Sequence, residues 1–269
     1  HGLHSRGTME AFKAFTGPKW LYVHGQKKWA NYYHPESRAM QATFFDHFLK
    51  GEDSGVLDWP RVRIEVREKA GQATLRDEGE WPLARTAYTP LYLDAGSGIL
   101  SPAPAAAEAE VRYNPLDEAG EATFTHRFDQ DTELSGHAKL RLWVEAEGAD
   151  EMDLFVALQK LDAQGQPVGM TFYAFFENGP VALGWLRASH RDLDPARSTP
   201  WQPFHTHERR VPLQPGEVVP VEIELWPSST LFRAGEALRV VVKGMDIYRE
   251  GLPNLPFAWW SQFRLEARF

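Results

Sequence analysis

Lys139-Leu140-Arg141-Leu142-Trp143-Val144-Glu145-Ala146 decides the fold. Leu140, Leu142, Val144 and Ala146 fall on one side of an extended chain, and Lys139, Arg141, Trp143 and Glu145 on the other. That period of two marks a strand with one face against a core. The pattern recurs in both directions from this stretch. Val62, Ile64 and Val66 alternate with Arg61, Arg63, Glu65 and Arg67. Val219, Val221, Ile223 and Leu225 repeat it, as do Leu238, Val240 and Val242, and finally Phe263, Leu265, Ala267 and Phe269 against Arg264, Glu266 and Arg268. Turn residues separate the runs, as in Gly165-Gln166-Pro167 and Gln214-Pro215-Gly216. From Asp58 onward the sequence therefore predicts a mainly β domain, a β-sandwich, over residues 58–269. The Pro/Ala-rich stretch from Ser101 to Glu110 reads as an exposed loop within it.

The first 57 residues differ. Trp20-Leu21-Tyr22-Val23 is a short apolar run ending at His24-Gly25, like a buried strand entering a loop. A helix is expected after it, with Pro35 in its first turn. Met40, Phe44, Phe45, Phe48 and Leu49 form one apolar stripe on it, Lys50 complements the C-terminal dipole, and Gly51 caps it.

Composition bounds the function. The 269 residues carry a formal net charge of −8, with acids and bases interleaved. A nucleic-acid surface needs clustered Lys and Arg, so no nucleic-acid partner is expected. There is no cysteine, which excludes disulfides, cysteine nucleophiles and Cys-ligated metals and fits a cytoplasmic setting. No apolar run approaches the roughly 18 residues of a membrane span, so no membrane partner is expected either. The chain opens at His1-Gly2-Leu3-His4-Ser5-Arg6-Gly7, which reads as the middle of a longer polypeptide.

Several stretches carry a family likeness: Gly2-Leu3-His4-Ser5-Arg6-Gly7-Thr8, Lys19-Trp20-Leu21-Tyr22-Val23-His24-Gly25, Phe44-Phe45-Asp46-His47-Phe48-Leu49-Lys50-Gly51, Leu134-Ser135-Gly136, Asp153-Leu154-Phe155-Val156, and Gly184-Trp185-Leu186-Arg187-Ala188-Ser189-His190-Arg191. Together these resemble the X-prolyl dipeptidyl-peptidase and cocaine esterase group of α/β-hydrolases, over essentially the whole chain. The resemblance implies a Ser-His-Asp acyl hydrolase cutting a small acyl ester or a peptide, with no cofactor. Residues 1–57 would be the tail of the α/β-hydrolase domain, and residues 58–269 a C-terminal jelly-roll, galactose-binding-like, packed against it. The main partner would be a catalytic domain upstream of His1.

The departures bear on activity. No G-x-S-x-G nucleophile elbow occurs, and Gly96-Ser97-Gly98 is too short to be one. By the resemblance, the triad Asp would fall just before or close to His1, and Lys28 stands where many relatives carry the triad His. A lysine with its usual pKa of about 10 stays protonated at neutral pH and is a poor base. His24 and His34 flank the position and are the candidate replacements. The chain alone is expected to be inactive. Trp185, Arg187 and His190 are the candidates for a substrate-pocket or interface segment.

Other constellations have bland alternatives. His205-Thr206-His207-Glu208 offers metal ligands, but Arg209 and Arg210 adjoin it and a solvated loop is favoured. Asp150, Glu151 and Asp153 would suit calcium, but a sandwich turn is favoured. No metal site is expected. Phe172, Tyr173, Phe175, Phe176, Trp259 and Trp260 read either as a surface covered by the catalytic domain or as a carbohydrate platform in a stand-alone binding module.

Overall fold

A computed structural model describes residues 4–172 and 176–248. The alternating run at Phe263–Phe269, the aromatics Trp259 and Trp260, and Tyr173 and Phe175 lie outside the described residues. The chain opens with α1 (Ser5–Ala14), β1 (Leu21–Val23), α2 (Lys28–Tyr32) and α3 (Pro35–Lys50). Strands follow: β2 (Val62–Lys69), β3 (Gln72–Glu78), β4 (Tyr92–Asp94), β5 (Ile99–Ser101), β6 (Ala122–Arg127), β7 (Thr132–Val144), β8 (Asp153–Leu161), β9 (Pro167–Val168), β10 (Met170–Phe172), β11 (Phe176–Gly179), β12 (Ala182–Arg187), β13 (Val219–Phe232) and β14 (Ala237–Lys243).

Two sheets form a sandwich. One is ordered β1-β2-β13-β7, with β3 on the other edge of β2; the second is ordered β12-β8-β14-β6-β5-β4, with β9 beside β8. The period-two pattern explains the core between them. Leu140 of β7 and Val219, Val221, Ile223 and Leu225 of β13 face Leu154, Val156 and Leu158 of β8 and Leu238, Val240 and Val242 of β14. Burying each such side chain contributes about 1.5–3 kcal/mol. The opposite face of β7 ends in solvent, where Trp143 is 62% exposed. Strand β8 is central and covered on both faces, so it lacks the alternation of its neighbours. The Ser101–Glu110 loop is irregular and almost wholly exposed, as its composition predicts.

Strand β2 departs from the sequence reading in one respect. Val62 and Ile64 alternate as expected but bury their faces outside the sandwich core. They pack with Met9 and Phe12 of α1, Leu21 and Val23 of β1, Trp81 and Leu83. β1 lies parallel to β2, pairing Leu21 with Val62 and Val23 with Ile64. The opening segment thus extends a sandwich sheet by hydrogen bonds and supplies the helix that covers it.

Helix α3 spans the stretch read as helical. Its C-cap, Gly51, has φ 74°, and the Gly51 and Glu52 amides donate to the His47 and Asp46 carbonyls. A left-handed residue closing such bonds is why glycine stands there. The apolar stripe is mostly uncovered: Phe45 and Phe48 are exposed and Leu49 is 76% exposed.

Candidate functional site

The expected catalytic positions cluster after β1. Strand β1 delivers His24 to a turn against β2, where its Nδ1 accepts from the Gln26 amide at 3.3 Å. Glu65 of β2, buried, accepts from the Gly25 amide and from the Gln26 carboxamide, both at 2.8 Å. Burial lowers the His24 pKa, and the Glu65 carboxylate partly offsets this. Lys28 opens α2 with its ammonium 4.7 Å from the centre of the Trp29 ring, a cation–π contact. His34 precedes α3, with its Nδ1 4.0 Å from the Glu36 carboxylate and more than half of its side chain exposed. The three residues engage separate neighbours.

Trp185, Arg187 and His190 follow one another in the chain but face different surroundings. Trp185 meets Trp226 edge-on at 4.9 Å. Arg187 makes a two-pronged ion pair with Asp153, at 2.8 and 2.7 Å, across the β12–β8 ladder. His190 Nδ1 lies 3.3 Å from His207 Nδ1. Gly184, heading the same motif, is required by proximity: a Cβ there would run into the Glu224 carbonyl of β13. The acidic turn is built the same way. Glu151 accepts from the Ser189 amide at 3.0 Å and pairs with Arg210 at 3.2 Å, so Asp153 and Glu151 hold arginines. His205, from the His205-Thr206-His207-Glu208 stretch, bonds the Glu222 carbonyl at 2.9 Å through Nε2. Phe172 is buried and Phe176 half-buried, in a cluster with Ala157, Leu183 and Val241.

A recess of about 2690 Å³ opens between the sheets along β7. Leu91, Leu93, Phe124, Leu142 and Val144 are among the residues lining it, and Trp185, Arg187 and His190 are not. Small-molecule pockets run to about 300–1,000 Å³. At that volume the recess does not have the dimensions of a small-molecule pocket.

One cluster escaped the sequence reading. Where α1 lies over the outer face of β7 and β13, Gln202 donates from Nε2 to Oε1 of Glu10 at 2.8 Å and to Oε1 of Glu224 at 2.9 Å. Lys13 pairs with Glu10 at 2.8 Å and Arg6 with Glu224 at 2.7 Å. His137 lies beside them, 5% exposed, and burial pushes its pKa down to about 4. Its ring centre is 6.3 Å from that of Trp81. His137 shares the face of Lys139 and Arg141, which alternation assigns to solvent. Groups from outside the sheet cover it, Glu10 of α1 and Trp81 among them, and no local pattern announces those contacts.

The comparisons with known proteins agree with this architecture. The X-Pro dipeptidyl-peptidase C-terminal non-catalytic domain matches residues 54–254. A CocE/NonD family hydrolase structure from Staphylococcus aureus superposes with a TM-score of 0.89 at 45% identity, over 91% of this chain and 44% of that one. A cocaine esterase from Rhodococcus sp. is 34% identical over 113 residues, 37% of this chain and 19% of the relative. A putative serine esterase from Mycobacterium bovis is 25% identical over 241 residues, 76% of this chain and 35% of the relative. The chain thus spans less than half the length of each of these relatives. It belongs to the family of X-Pro dipeptidyl-peptidase C-terminal non-catalytic domains, carried by hydrolases of the CocE/NonD type.

Proposed function

We propose that this chain is the C-terminal portion of a serine acyl hydrolase, of the X-prolyl dipeptidyl-peptidase or acyl esterase type, and is inactive alone. Its sandwich, a jelly-roll of the galactose-binding-like kind, buttresses a catalytic domain whose last elements are residues 1–57, and it helps wall the substrate pocket. The substrate would be a small acyl ester or a peptide. The absence of cysteine supports a cytoplasmic setting.

One observation carries this reading. Among the described residues, Phe15, Trp29, Tyr32, Tyr33, Phe45, Phe48, Leu49 and Leu57 are eight of the fifteen exposed large hydrophobic residues, and all eight lie in the first 57 positions. Such concentration of bare apolar surface marks a face made for a partner. A stand-alone carbohydrate-binding module built on the aromatics around Phe172, the second reading, would leave those rings exposed. Phe172 and the Trp185–Trp226 pair are instead packed into a cluster.

The test is hydrolysis of p-nitrophenyl acetate together with labelling by a fluorophosphonate probe. The 269-residue chain is expected to give neither. The same chain extended upstream through a G-x-S-x-G segment is expected to give both. Labelling of the 269-residue chain, or an extended protein that is folded yet unlabelled, would refute the proposal.

A further inference from the structure

Glu10 of α1, His137 of β7 and Glu224 of β13 each point a potential ligand atom into one small volume, and those atoms all lie within 4.8 Å of one another. His137 is the anomaly among them. It is nineteen-twentieths buried, and among the described residues neither ring nitrogen has a hydrogen-bond partner. A buried polar group left unpaired costs about 1–3 kcal/mol, so native structures seldom keep one without a reason such as a ligand.

We propose that Glu10, His137 and Glu224 bind a divalent transition-metal ion of the zinc class at the seam between α1 and the sandwich. One imidazole and two carboxylates make a nitrogen–oxygen donor set, which suits Zn²⁺ or Co²⁺ better than the oxygen-seeking Ca²⁺ and Mg²⁺. Tetrahedral coordination with bonds of about 2.0–2.2 Å places ligand atoms about 3.4 Å apart, so the widest separation must close by up to about 1.4 Å. Two glutamate side chains can supply that by rotation. The second sphere is already built: Gln202 donates to both carboxylates and turns them toward each other.

Without the ion, Lys13 and Arg6 neutralise the two carboxylates. Both are long side chains reaching solvent, 27% and 43% exposed, and they can swing outward as a divalent cation takes their place. They therefore compete with the metal, and the site has a signature: removing a cation should tighten binding while removing a ligand weakens it.

The experiment titrates chelator-stripped protein with Zn²⁺ by calorimetry and with Co²⁺ by visible absorption. One equivalent should bind, with the cobalt bands of a four-coordinate nitrogen–oxygen site. Glu10→Gln, an isosteric change on a half-exposed helix residue, should weaken binding at least about tenfold, as should His137→Gln. Lys13→Ala should tighten it, and His207→Ala should leave it unchanged. Circular dichroism checks that each variant is folded, and Glu10→Gln carries the test should His137→Gln fail to fold. No binding to the parent chain overturns the proposal. So does binding that survives Glu10→Gln in full, or binding lost in His207→Ala, which would place the ion at the His190–His207 pair.

Discussion

Lys160 is the most deeply buried cation among the described residues, 2% exposed on β8, and its replacement tests how the core tolerates charge. Its ammonium has three partners: Glu236 at 2.7 Å, the Leu231 carbonyl at 2.7 Å and the Glu68 carbonyl at 3.0 Å. All three N–H donors are thereby used. Removing either member of the ion pair has unequal consequences. Glu236→Gln leaves a cation sealed in the core with only neutral acceptors, and stranding a buried charge costs about 3–5 kcal/mol. Lys160→Met leaves a Glu236 side chain that is 18% exposed and can take up water. It also frees one lone pair on each of two strand carbonyls, a loss of about 1–3 kcal/mol. Glu236→Gln should therefore be the more destabilising, and the double variant should cost less than the sum by more than about 1 kcal/mol, because the two residues share one contact. Urea unfolding followed by tryptophan fluorescence measures all three. If Lys160→Met costs as much as Glu236→Gln, or the effects add, the pair is not the closed unit described.

Three further outcomes follow from other parts of the structure. Gly184→Ala should cost upward of about 2 kcal/mol, because the added methyl meets the backbone of β13 and not a yielding side chain; an unchanged urea midpoint would mean that β12 and β13 are not so close. Phe45→Glu with Leu49→Glu on α3 should shift the stability of this chain by no more than about 0.5 kcal/mol, since both side chains are exposed; a larger loss in urea unfolding would mean that this face is already covered. At acid pH, Arg85 holds the Glu78 carboxyl, and Arg76 the Glu133 carboxyl, below the usual carboxylate range. Folded values below unfolded ones give stability that is full above the unfolded carboxylate pKa of about 4.3 and lost as pH falls through the folded values. Arg76→Met should flatten that acid-side loss in a series of melting curves; an equal slope in both proteins would remove these pairs from the account.

Much of the fold was legible because alternation is a local signal. Leu140 through Ala146 and Val219 through Leu225 declare both a strand and its buried face, and the Pro35-to-Gly51 helix declares both of its ends. What was not legible depends on which element lies on top. Val62 and Ile64 show the same period as Val221 and Ile223, yet the first pair meets α1 and the second the opposite sheet. Periodicity fixes that a face is covered, not by what. The same limit hid Glu10, His137 and Glu224, whose meeting requires a helix from the opening segment to cross two strands far along the chain. His24, Lys28 and His34 could be picked out by resemblance, but the separate neighbours they engage could not.

The parallel pairing of Leu21–Val23 with Val62–Ile64 has a mechanical consequence. A hinge between these two parts of the chain would have to unzip backbone hydrogen bonds and open a shared apolar layer before any rotation began. The change of sequence pattern near position 57 is therefore no mechanical division, and force applied to one side is transmitted to the other. Excising residues 1–57 would not release a tidy module. It would bare a flank of β2 together with Val62, Ile64 and Trp81, the raw strand edge and greasy flank from which intermolecular aggregation starts.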